Sequence, residues 1–384
     1  MTESSKVALV YCEDYQQDKV RDAVKQGLNL LGGAAQFVQP GEKILIKPNL
    51  LVGDSPDKCI SPHPMVFQAV LEEFKACGVQ LSFGDSPGFG SAQAAARNAE
   101  LLPVAEALDV PVADFQNGET VSFLDGKFIK QFTLAKGVLE SDGVISLAKM
   151  KAHALTRITG AIKNQFGCIP GVLKAEFHSK LPSANVFSKM LVDLNLYIKP
   201  RLYIMDGIKA MEGNGPRNGD PRPMHVLIFS TDPVALDATV CKMVNLDEAL
   251  VDPIVYGNEF GLGNSKDIEY VGEPISRFDT PDFVVNRSTG STTTDLGFLT
   301  SSFVRNYVTP RPVINAELCT KCGRCVKVCP AEPKALSWKN GKELPPVYDY
   351  SQCIRCYCCQ ELCPHEAITV QVPLLGRLIH RQTA

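Results

Sequence analysis

The sequence predicts an α/β fold, in which a large, mostly parallel sheet with helices on both faces precedes a small C-terminal α+β domain. From Lys6 to about Gly272, short apolar runs typical of strands alternate with amphipathic stretches typical of helices. Such alternation is characteristic of a parallel sheet covered by helices on both sides. The alternation then ends, and cysteines recur at regular spacing from Cys319 to Cys363. These two observations predict a large domain followed by a small one.

The individual elements follow from the period of the apolar residues and from the glycines and prolines at their ends. A helix ending at Gly167 should carry Lys163 and Asn164. Strands are predicted over residues 6–11, 43–49, 79–85, 142–148, 201–207 and 225–230. Further helices are predicted over residues 18–33, 64–76, 91–100 and 232–244.

Composition and charge limit the class of protein. Hydrophobic residues make up 45% and charged residues 21% of the 384 residues, as in ordinary globular proteins. No apolar run approaches the roughly 18 residues that a membrane-spanning helix needs. The N-terminus lacks a basic-then-apolar signal pattern, so we expect a cytoplasmic location. Residues 313–384 carry a net charge of +3 and the rest −6. Neither part has the concentrated basic patch of a nucleic-acid-binding surface.

The C-terminal cysteines form the pattern C-x2-C-x2-C-x3-C-P twice. This spacing is typical of domains that hold two 4Fe-4S clusters. A tight loop presents three thiolates to one cluster, and the fourth cysteine reaches the other cluster. The pattern therefore predicts two 4Fe-4S clusters whose ligands are exchanged between the repeats. We assign one cluster to Cys319, Cys322, Cys325 and Cys363, and the other to Cys353, Cys356, Cys359 and Cys329.

Zinc is the alternative for paired C-x2-C motifs, but a zinc site would use two pairs and would not need three evenly spaced cysteines. A disulfide framework is less compatible with a long chain that lacks a signal segment. Residues from about Val313 to Val372 resemble a bacterial-type two-cluster ferredoxin domain. Cys358 is an additional thiol between two ligands, and we interpret it as a bystander beside a cluster.

Polar side chains gather after the predicted strands and around residues 149–178 of the large domain. In doubly wound sheets, ligands bind beyond the carboxyl ends of the strands. Lysines together with histidines suit a carboxylate or phosphate group and proton transfer to it, although each lysine alone is more typical of a solvated surface. The candidates for catalysis are Lys163, His153, His178 and Asp85. The candidates for binding a substrate or cofactor are Lys47, Asn49, Asn164, Asp206 and Asp232.

The loop G-D-S-P-G-F-G-S-A joins a predicted strand to a helix, but it does not match a nucleotide-binding fingerprint. Gln93 stands where the dinucleotide pattern places its third glycine or alanine, and no G-K-[ST] is present. A tight turn and a loop that binds an anion or metal both stay open.

Five motifs carry a second resemblance: I-L-I-K-P-N-L, F-G-D-S-P-G, K-A-H-A-L-T-R-I-T-G-A-I-K-N-Q-F-G-C-I-P-G, M-D-G-I-K-A-M-E-G-N-G-P and S-T-D-P-V-A-L-D-A. In this order they resemble the family called domain of unknown function 362, over about residues 40–250. Members of that family often carry a ferredoxin-like C-terminal domain. The family has no established reaction, so the resemblance supports the location of a site and leaves its chemistry open.

We therefore predict an α/β domain over residues 1–272, a connecting segment over 273–312, a ferredoxin-like domain over 313–372 and a tail over 373–384. We favour an iron–sulfur oxidoreductase whose clusters pass single electrons to or from a small anionic substrate or cofactor in the α/β domain. One alternative is a non-catalytic electron-transfer subunit that docks on a partner enzyme. Another is a metal or cofactor binding or maturation factor. The expected partner is a redox protein or a small-molecule substrate.

Overall fold

The computed structural model describes residues 4–171, 173–288, 306–339 and 341–378. Its strands are β1 (Ser5–Tyr11), β2 (Lys43–Pro48), β3 (Gln80–Phe83), β4 (Gly118–Ser122), β5 (Gln131–Ala135), β6 (Gly143–His153), β7 (Arg157–Ile158), β8 (Leu202–Glu212), β9 (Asp220–Ser230), β10 (Ile268–Gly272), β11 (Arg311–Ile314), β12 (Leu336–Ser337), β13 (Val347–Tyr348) and β14 (Ile368–Gln371).

The α-helices are α1 (Gln17–Leu30), α2 (Pro64–Lys75), α3 (Ala92–Asn98), α4 (Leu101–Ala107), α5 (Lys136–Leu139), α6 (Gly160–Asn164), α7 (Leu173–Lys180), α8 (Ala184–Ile198), α9 (Pro233–Met243), α10 (Asp252–Phe260), α11 (Arg324–Val328) and α12 (Cys358–Glu361). Single 3-10 turns cover Ala34–Gln36, Pro56–Lys58, Gln165–Cys168, Glu248–Leu250, Ile275–Phe278 and Leu375–Leu378. Every helix in the described ranges is too short or too polar to span a bilayer.

The large domain contains an eight-stranded sheet in the order β10-β1-β9-β8-β6-β2-β3, with β7 paired to β6. Along β1, Val7 and Leu9 enter one core and Ala8 and Val10 enter the other, because successive strand residues point to opposite faces. One core receives α6, α8, α9 and α10, and the other receives α1, α2 and α4. The predicted parallel sheet with helices on both faces is confirmed.

β9 departs from the parallel arrangement, since it runs antiparallel to both β1 and β8. The connection between β8 and β9 spans only residues 213–219. A parallel crossover needs a dozen or more residues, whereas antiparallel neighbours can be joined by a short hairpin. The carboxyl end of β9 therefore lies at the end of the sheet where β2, β6 and β8 begin, opposite to the carboxyl ends of those three strands.

The C-terminal part contains two small antiparallel pairs, β11 with β14 and β12 with β13, together with α11 and α12. The predicted connecting segment begins by packing on the large domain, because Phe278, Phe283 and Val285 are buried in its core. Residues 289–305 of that segment and 379–384 of the predicted tail lie outside the described residues. The three predicted boundaries between the four segments stay predictions.

The hairpin between β8 and β9 seats α12 on the large domain. Gln360 Nε2 donates to Asn214 Oδ1 at 2.8 Å and to the carbonyl of Gly215 at 3.1 Å. Asn218 Nδ2 donates to the carbonyl of Cys363 at 3.1 Å. Gly215 has no room for a side chain, since a Cβ atom there would lie 2.1 Å from the carbonyl oxygen of Ala152. This contact brings the cysteine array against the carboxyl ends of the parallel strands.

Candidate functional site

The cysteines of the array surround two separate cavities. One is lined by Cys319, Cys322, Cys325 and Cys363, which we call the first cysteine set. The other is lined by Cys329, Cys353, Cys356 and Cys359, the second cysteine set. Each cavity takes three cysteines from one repeat and the fourth from the other, which is the grouping that the crosswise ligand assignment requires.

The chemistry of each set suits a 4Fe-4S cluster, because four thiols line each cavity. His365, an exposed residue, also lines the first cavity. In the described part of the chain, no three Cys, His, Asp or Glu side chains are arranged to hold a single metal ion. A 4Fe-4S cluster needs no such convergence, since each of its four iron atoms takes one thiolate.

A third cavity, of about 410 Å³, lies between the α/β domain and the cysteine array. We call it the interdomain pocket. Its volume is within the range of small-molecule sites. Its apolar wall includes Leu51, Phe89, Phe166, Val328 and Leu362. Its polar lining comes from both parts of the chain: Asn49, Asp85, Ser86, Thr159, Lys163, Asn164, Lys174, His178, Lys327, Cys329, Cys358 and Glu361.

The pocket brings together five of the nine candidate residues of the α/β domain. Three candidates for catalysis and two for binding line it: Asp85, Lys163, His178, Asn49 and Asn164. Lys47 and His153 lie behind the wall, where each contacts a residue that lines it. Asp206 and Asp232 lie elsewhere.

Lys47, Asp85 and Asn164 form a buried network under the pocket floor. Lys47 Nζ lies 2.8 Å from Asp85 Oδ1 and donates to Asn164 Oδ1 at 3.1 Å. Asp85 Oδ2 accepts from the backbone N–H of Leu50 at 2.7 Å. Both charged side chains are almost completely buried. The ion pair therefore cross-links the ends of β2 and β3 to α6.

Two glycines allow the segment that carries Lys163 and Asn164 to pack closely against Asp85 and Asp237. A Cβ atom at Gly167 would lie 1.7 Å from Asp85 Oδ1. Gly160 has φ +67° and faces Asp237, whose carboxylate accepts from the backbone N–H groups of Ala161 and Ile162. Asp237 thus accepts hydrogen bonds from N–H groups at the start of α6 that have no partner within the helix. It affects the site by holding in place the helix that carries Lys163 and Asn164.

Glu361 of α12 meets His153 at the junction of the two parts. His153 Nδ1 accepts from the backbone N–H of Leu155 at 3.0 Å, and its Nε2 lies 3.1 Å from Glu361 Oε1. Burial and the positive charge of Lys163 lower the pKa of His153 to about 4, so its neutral ring carries the proton on Nε2. Burial raises the pKa of the Glu361 carboxyl, but contact with His153 and the charge of Lys163 outweigh it and lower that pKa.

His178 and Lys174 reach the pocket from α7. The His178 ring stacks on Phe187 with centroids 4.6 Å apart, and burial lowers its pKa to about 4. Lys174 Nζ donates to the hydroxyl of Ser86 at 2.8 Å and to the carbonyl of Pro87 at 2.7 Å. Burial lowers the pKa of Lys174 to about 7. Lys174 can therefore change charge near neutral pH.

Lys163 and Thr159 are two residues of the pocket lining whose side chains lack a hydrogen-bond partner among the described residues. Lys163 Nζ has no hydrogen-bond acceptor among the described residues, and its nearest ring contact is Phe166, with the centroid 6.0 Å away. Thr159 Oγ1 is buried and lacks a partner within the same residues. A half-buried ammonium beside an unpaired hydroxyl is suited to an anionic oxygen.

Asp206 belongs to a separate, fully satisfied cluster. Its carboxylate lies 2.7 Å from Lys149 Nζ and accepts from Tyr15 Oη at 3.0 Å and from the His63 backbone N–H at 2.9 Å. The rings of Tyr15 and His63 stack with centroids 3.7 Å apart. Since Asp206 is fully buried and does not line the interdomain pocket, its placement supports a structural role.

Asp232 lies far from the other candidates, because β9 runs in the opposite direction. Its Oδ1 accepts from the backbone N–H groups of Val234 and Ala235 at 2.8 and 3.0 Å. Its Oδ2 accepts from the hydroxyl of Ser5 and from the N–H of Asn264. The expectation that Asp232 would meet the other strand-end residues is corrected here, since it caps α9 at the opposite edge of the sheet.

Several residues that line the pocket were not candidates from the sequence, among them Thr159, Glu361 and Phe89. Thr159 lies inside one of the family-like motifs and Phe89 directly follows another, which was an available signal. Glu361 lies between Cys359 and Cys363, in a stretch where only the cysteines were considered. Glu361 contacts His153, which lies 208 positions earlier in the chain. No pattern in the sequence around Glu361 predicts a contact over this distance. Cys358 lines this pocket and neither cluster cavity.

Comparison with known proteins supports both parts of the chain. The model of a family described as "Domain of unknown function (DUF362)" matches residues 44–242, and that of a "4Fe-4S dicluster domain" matches residues 311–364. A thylakoid-associated protein of Synechocystis, sll1697, is 38% identical over 257 residues, which cover 67% of this chain and 79% of that protein.

Two solved structures are more distant. The lactate racemase apoprotein from Thermoanaerobacterium thermosaccharolyticum has a TM-score of 0.42 and 11% identity, and the match covers 64% of this chain and 57% of that one. A protein from Thermotoga maritima has a TM-score of 0.38 and 11% identity, with coverage of 58% and 57%. This chain therefore belongs to the DUF362 family, and with its 4Fe-4S dicluster domain it is an iron–sulfur protein with two 4Fe-4S clusters.

Proposed function

We propose that the protein is an oxidoreductase whose two clusters exchange single electrons with a small anionic ligand in the interdomain pocket. One observation carries this proposal: Lys163 and Cys329 line the same pocket. A ligand held by Lys163 would then lie beside a cysteine assigned to the second cluster. The eight-cysteine assignment is part of the proposal.

The anionic character of the ligand is supported by the groups that stay free. Asp85 is paired with Lys47, and Glu361 lies against His153. Lys163 has no such partner in the described structure. A bound carboxylate or phosphate oxygen would give the Lys163 ammonium a direct hydrogen-bond acceptor in addition to the nearby charge of Glu361. Such charge-assisted hydrogen bonds are strong in a partly desolvated site.

The candidate residues take distinct roles in this proposal. Lys163 and Thr159 bind the anionic group, while Asn49 and Asn164 contact the ligand from the floor. His178 is a neutral imidazole that can exchange a proton with the ligand. Asp85 and Lys47 hold the floor, and the latter acts only through its neighbours because it is fully buried.

Replacing Lys163 tests the pocket. In Lys163→Met, we expect the affinity for small anions to fall about tenfold or more, since a charge-assisted hydrogen bond contributes about 1.5–3 kcal/mol. Titration calorimetry under anaerobic conditions, with inorganic phosphate and a panel of small organic carboxylates, measures the change. Mass spectrometry of anaerobically purified protein identifies any anion that co-purifies.

Lys180→Met is the matched control, because Lys180 is exposed and pairs only with Glu176 on its own helix. It should bind anions like the unaltered protein. If Lys163→Met bound small anions as tightly as the unaltered protein, the proposal that Lys163 holds an anionic ligand would be wrong. If no probe binds and no molecule co-purifies, the chain acts instead as an electron-transfer subunit without a substrate of its own.

Anion binding should also depend on pH through Lys174. Because the pKa of Lys174 is lowered from 10.5 to about 7, its positive charge is present below pH 7 and is lost above it. We expect the affinity for a carboxylate probe to fall between pH 6 and pH 8. In Lys174→Met the affinity should be lower and nearly flat over this range, whereas Lys180→Met should keep the slope.

The same lowered pKa affects folding in a definite direction. Between pH 7 and pH 10.5 the unfolded chain binds the proton that folded Lys174 lacks, so the contribution of this group to stability decreases as the pH falls. An unchanged pH slope of anion binding in Lys174→Met would assign the titration to another group.

The expected cytoplasmic location stays a prediction, while the Synechocystis relative is described as thylakoid-associated.

A further inference from the structure

The two cysteine sets differ in their distance from solvent. In the first set Cys322 is exposed, Cys319 and Cys325 are partly buried, and Cys363 is buried. In the second set Cys353, Cys356 and Cys359 are buried and Cys329 is partly buried. The fourth member of the second set, Cys329, lines the interdomain pocket, and no member of the first set does so. One cluster site therefore faces the surface, and the other faces the pocket.

The two sets also differ in the hydrogen bonds that reach their sulfur atoms. Tyr348 Oη donates to Cys359 Sγ at 3.2 Å. Arg355 Nη1 donates to the backbone carbonyl of Cys353 at 3.3 Å, which places a positive charge beside this set.

Cys359 of the second set thus accepts a side-chain hydrogen bond, and the Arg355 cation lies beside Cys353. Among the residues that the structure describes, no side-chain donor reaches a sulfur atom of the first set.

These contacts act on the electron affinity of the cluster that the second set holds. Reduction adds one negative charge, which hydrogen bonds to the sulfur atoms and nearby cations stabilise, so the reduction potential rises. Burial opposes the added charge. Arg355 is itself only 1% exposed, and its buried positive charge lies directly beside Cys353 and offsets that cost.

We infer that electrons enter at the surface-facing cluster of the first set and leave from the second set into the pocket. This inference rests on the proposed function and gives it a direction, the reduction of the pocket ligand. The electron donor is a reduced one-electron carrier protein that approaches the exposed Cys322. In each transfer the carrier loses one electron and the pocket ligand gains one. Tyr348 and Arg355 are positioning residues that make the inner cluster, held by the second set, a better electron acceptor than the outer cluster of the first set.

Redox titration of the full-length protein, followed by EPR, tests this order. We expect the inner cluster to be reduced first in the unaltered protein. Tyr348→Phe should lower the equilibrium constant for reduction of the inner cluster about tenfold, which corresponds to a fall of about 59 mV in its one-electron reduction potential. The reduction potential of the outer cluster should not change. Cys322→Ser alters the signal of the outer cluster and so assigns the two signals.

Tyr350→Phe is the matched control. Its ring stacks on Tyr348 with centroids 5.3 Å apart, but its hydroxyl donates to the carbonyl of Pro312 at 2.9 Å. This variant should leave both potentials unchanged.

Two results would overturn the order: an outer cluster that is reduced first, or equal shifts in Tyr348→Phe and Tyr350→Phe. Either result leaves the binding of anions to Lys163 untouched, so it is distinct from failure of the proposed function. If anions do not bind but the inner cluster is still reduced first, the order stands, and the electrons leave to a partner protein at the pocket.

Discussion

Replacing Cys329 together with Cys322 should remove both clusters, whereas replacing Cys329 together with Cys356 should remove only one. The reason is that the crosswise assignment places Cys329 of the first repeat with Cys356 of the second. Cys322 belongs to the other cavity. A variant that loses one cubane should fall from about eight iron atoms per chain to about four, since each cubane holds four.

Iron analysis and EPR of anaerobically purified protein measure this outcome. The single variants Cys329→Ala and Cys356→Ala should match their double variant, with about four iron atoms remaining. Cys358→Ala is the control that should keep both clusters, because Cys358 lines neither cluster cavity. If Cys329→Ala/Cys322→Ala kept one cluster, each repeat would hold its own four ligands, and the crosswise assignment would be wrong.

Lys47→Met should destabilise the α/β domain by about 3–5 kcal/mol, because it leaves the Asp85 carboxylate buried without its partner. Lys47 and Asp85 lie 2.8 Å apart with side-chain exposures of 0% and 3%. The same change should loosen α6, since Lys47 also donates to Asn164. Anion binding should therefore weaken along with stability. Urea unfolding followed by far-UV circular dichroism gives the free energy of unfolding.

The double variant Lys47→Met/Asp85→Asn separates charge from packing. It should recover much of the lost stability, because no buried charge is left unpaired, and the asparagine oxygen can still accept from Leu50 N–H. Lys180→Met provides the comparison, since its exposed ion pair should contribute little. If Lys47→Met unfolded at the same urea concentration as the unaltered protein, the ion pair between Lys47 and Asp85 would contribute nothing to the stability of the domain.

Local patterns were sufficient for much of the molecule. Each of the six predicted strands is present as β1, β2, β3, β6, β8 or β9, because apolar periodicity reflects which residues must leave water. The cysteine spacing likewise predicted the clusters, since one tight loop supplies three ligands. The five motifs placed the family correctly.

Contacts between distant parts of the chain were beyond such patterns. Asp232 follows a strand like the other candidates, but the direction of β9 places it at the far edge. Glu361 has no neighbour in the sequence that marks it as a pocket residue. It becomes one because Gln360 binds Asn214 and Gly215, about 145 residues earlier.

The sequence by itself determined the kind of elements, the family and the presence of two 4Fe-4S clusters, since periodicity and ligand spacing act over a few residues. Only the tertiary structure decided that Cys329 of the second cysteine set lines the same pocket as Lys163, while Cys322 of the first set is exposed to solvent. That arrangement depends on side chains of the β8–β9 hairpin pairing with α12, and hydrogen bonds of such long range leave no periodic trace in the chain.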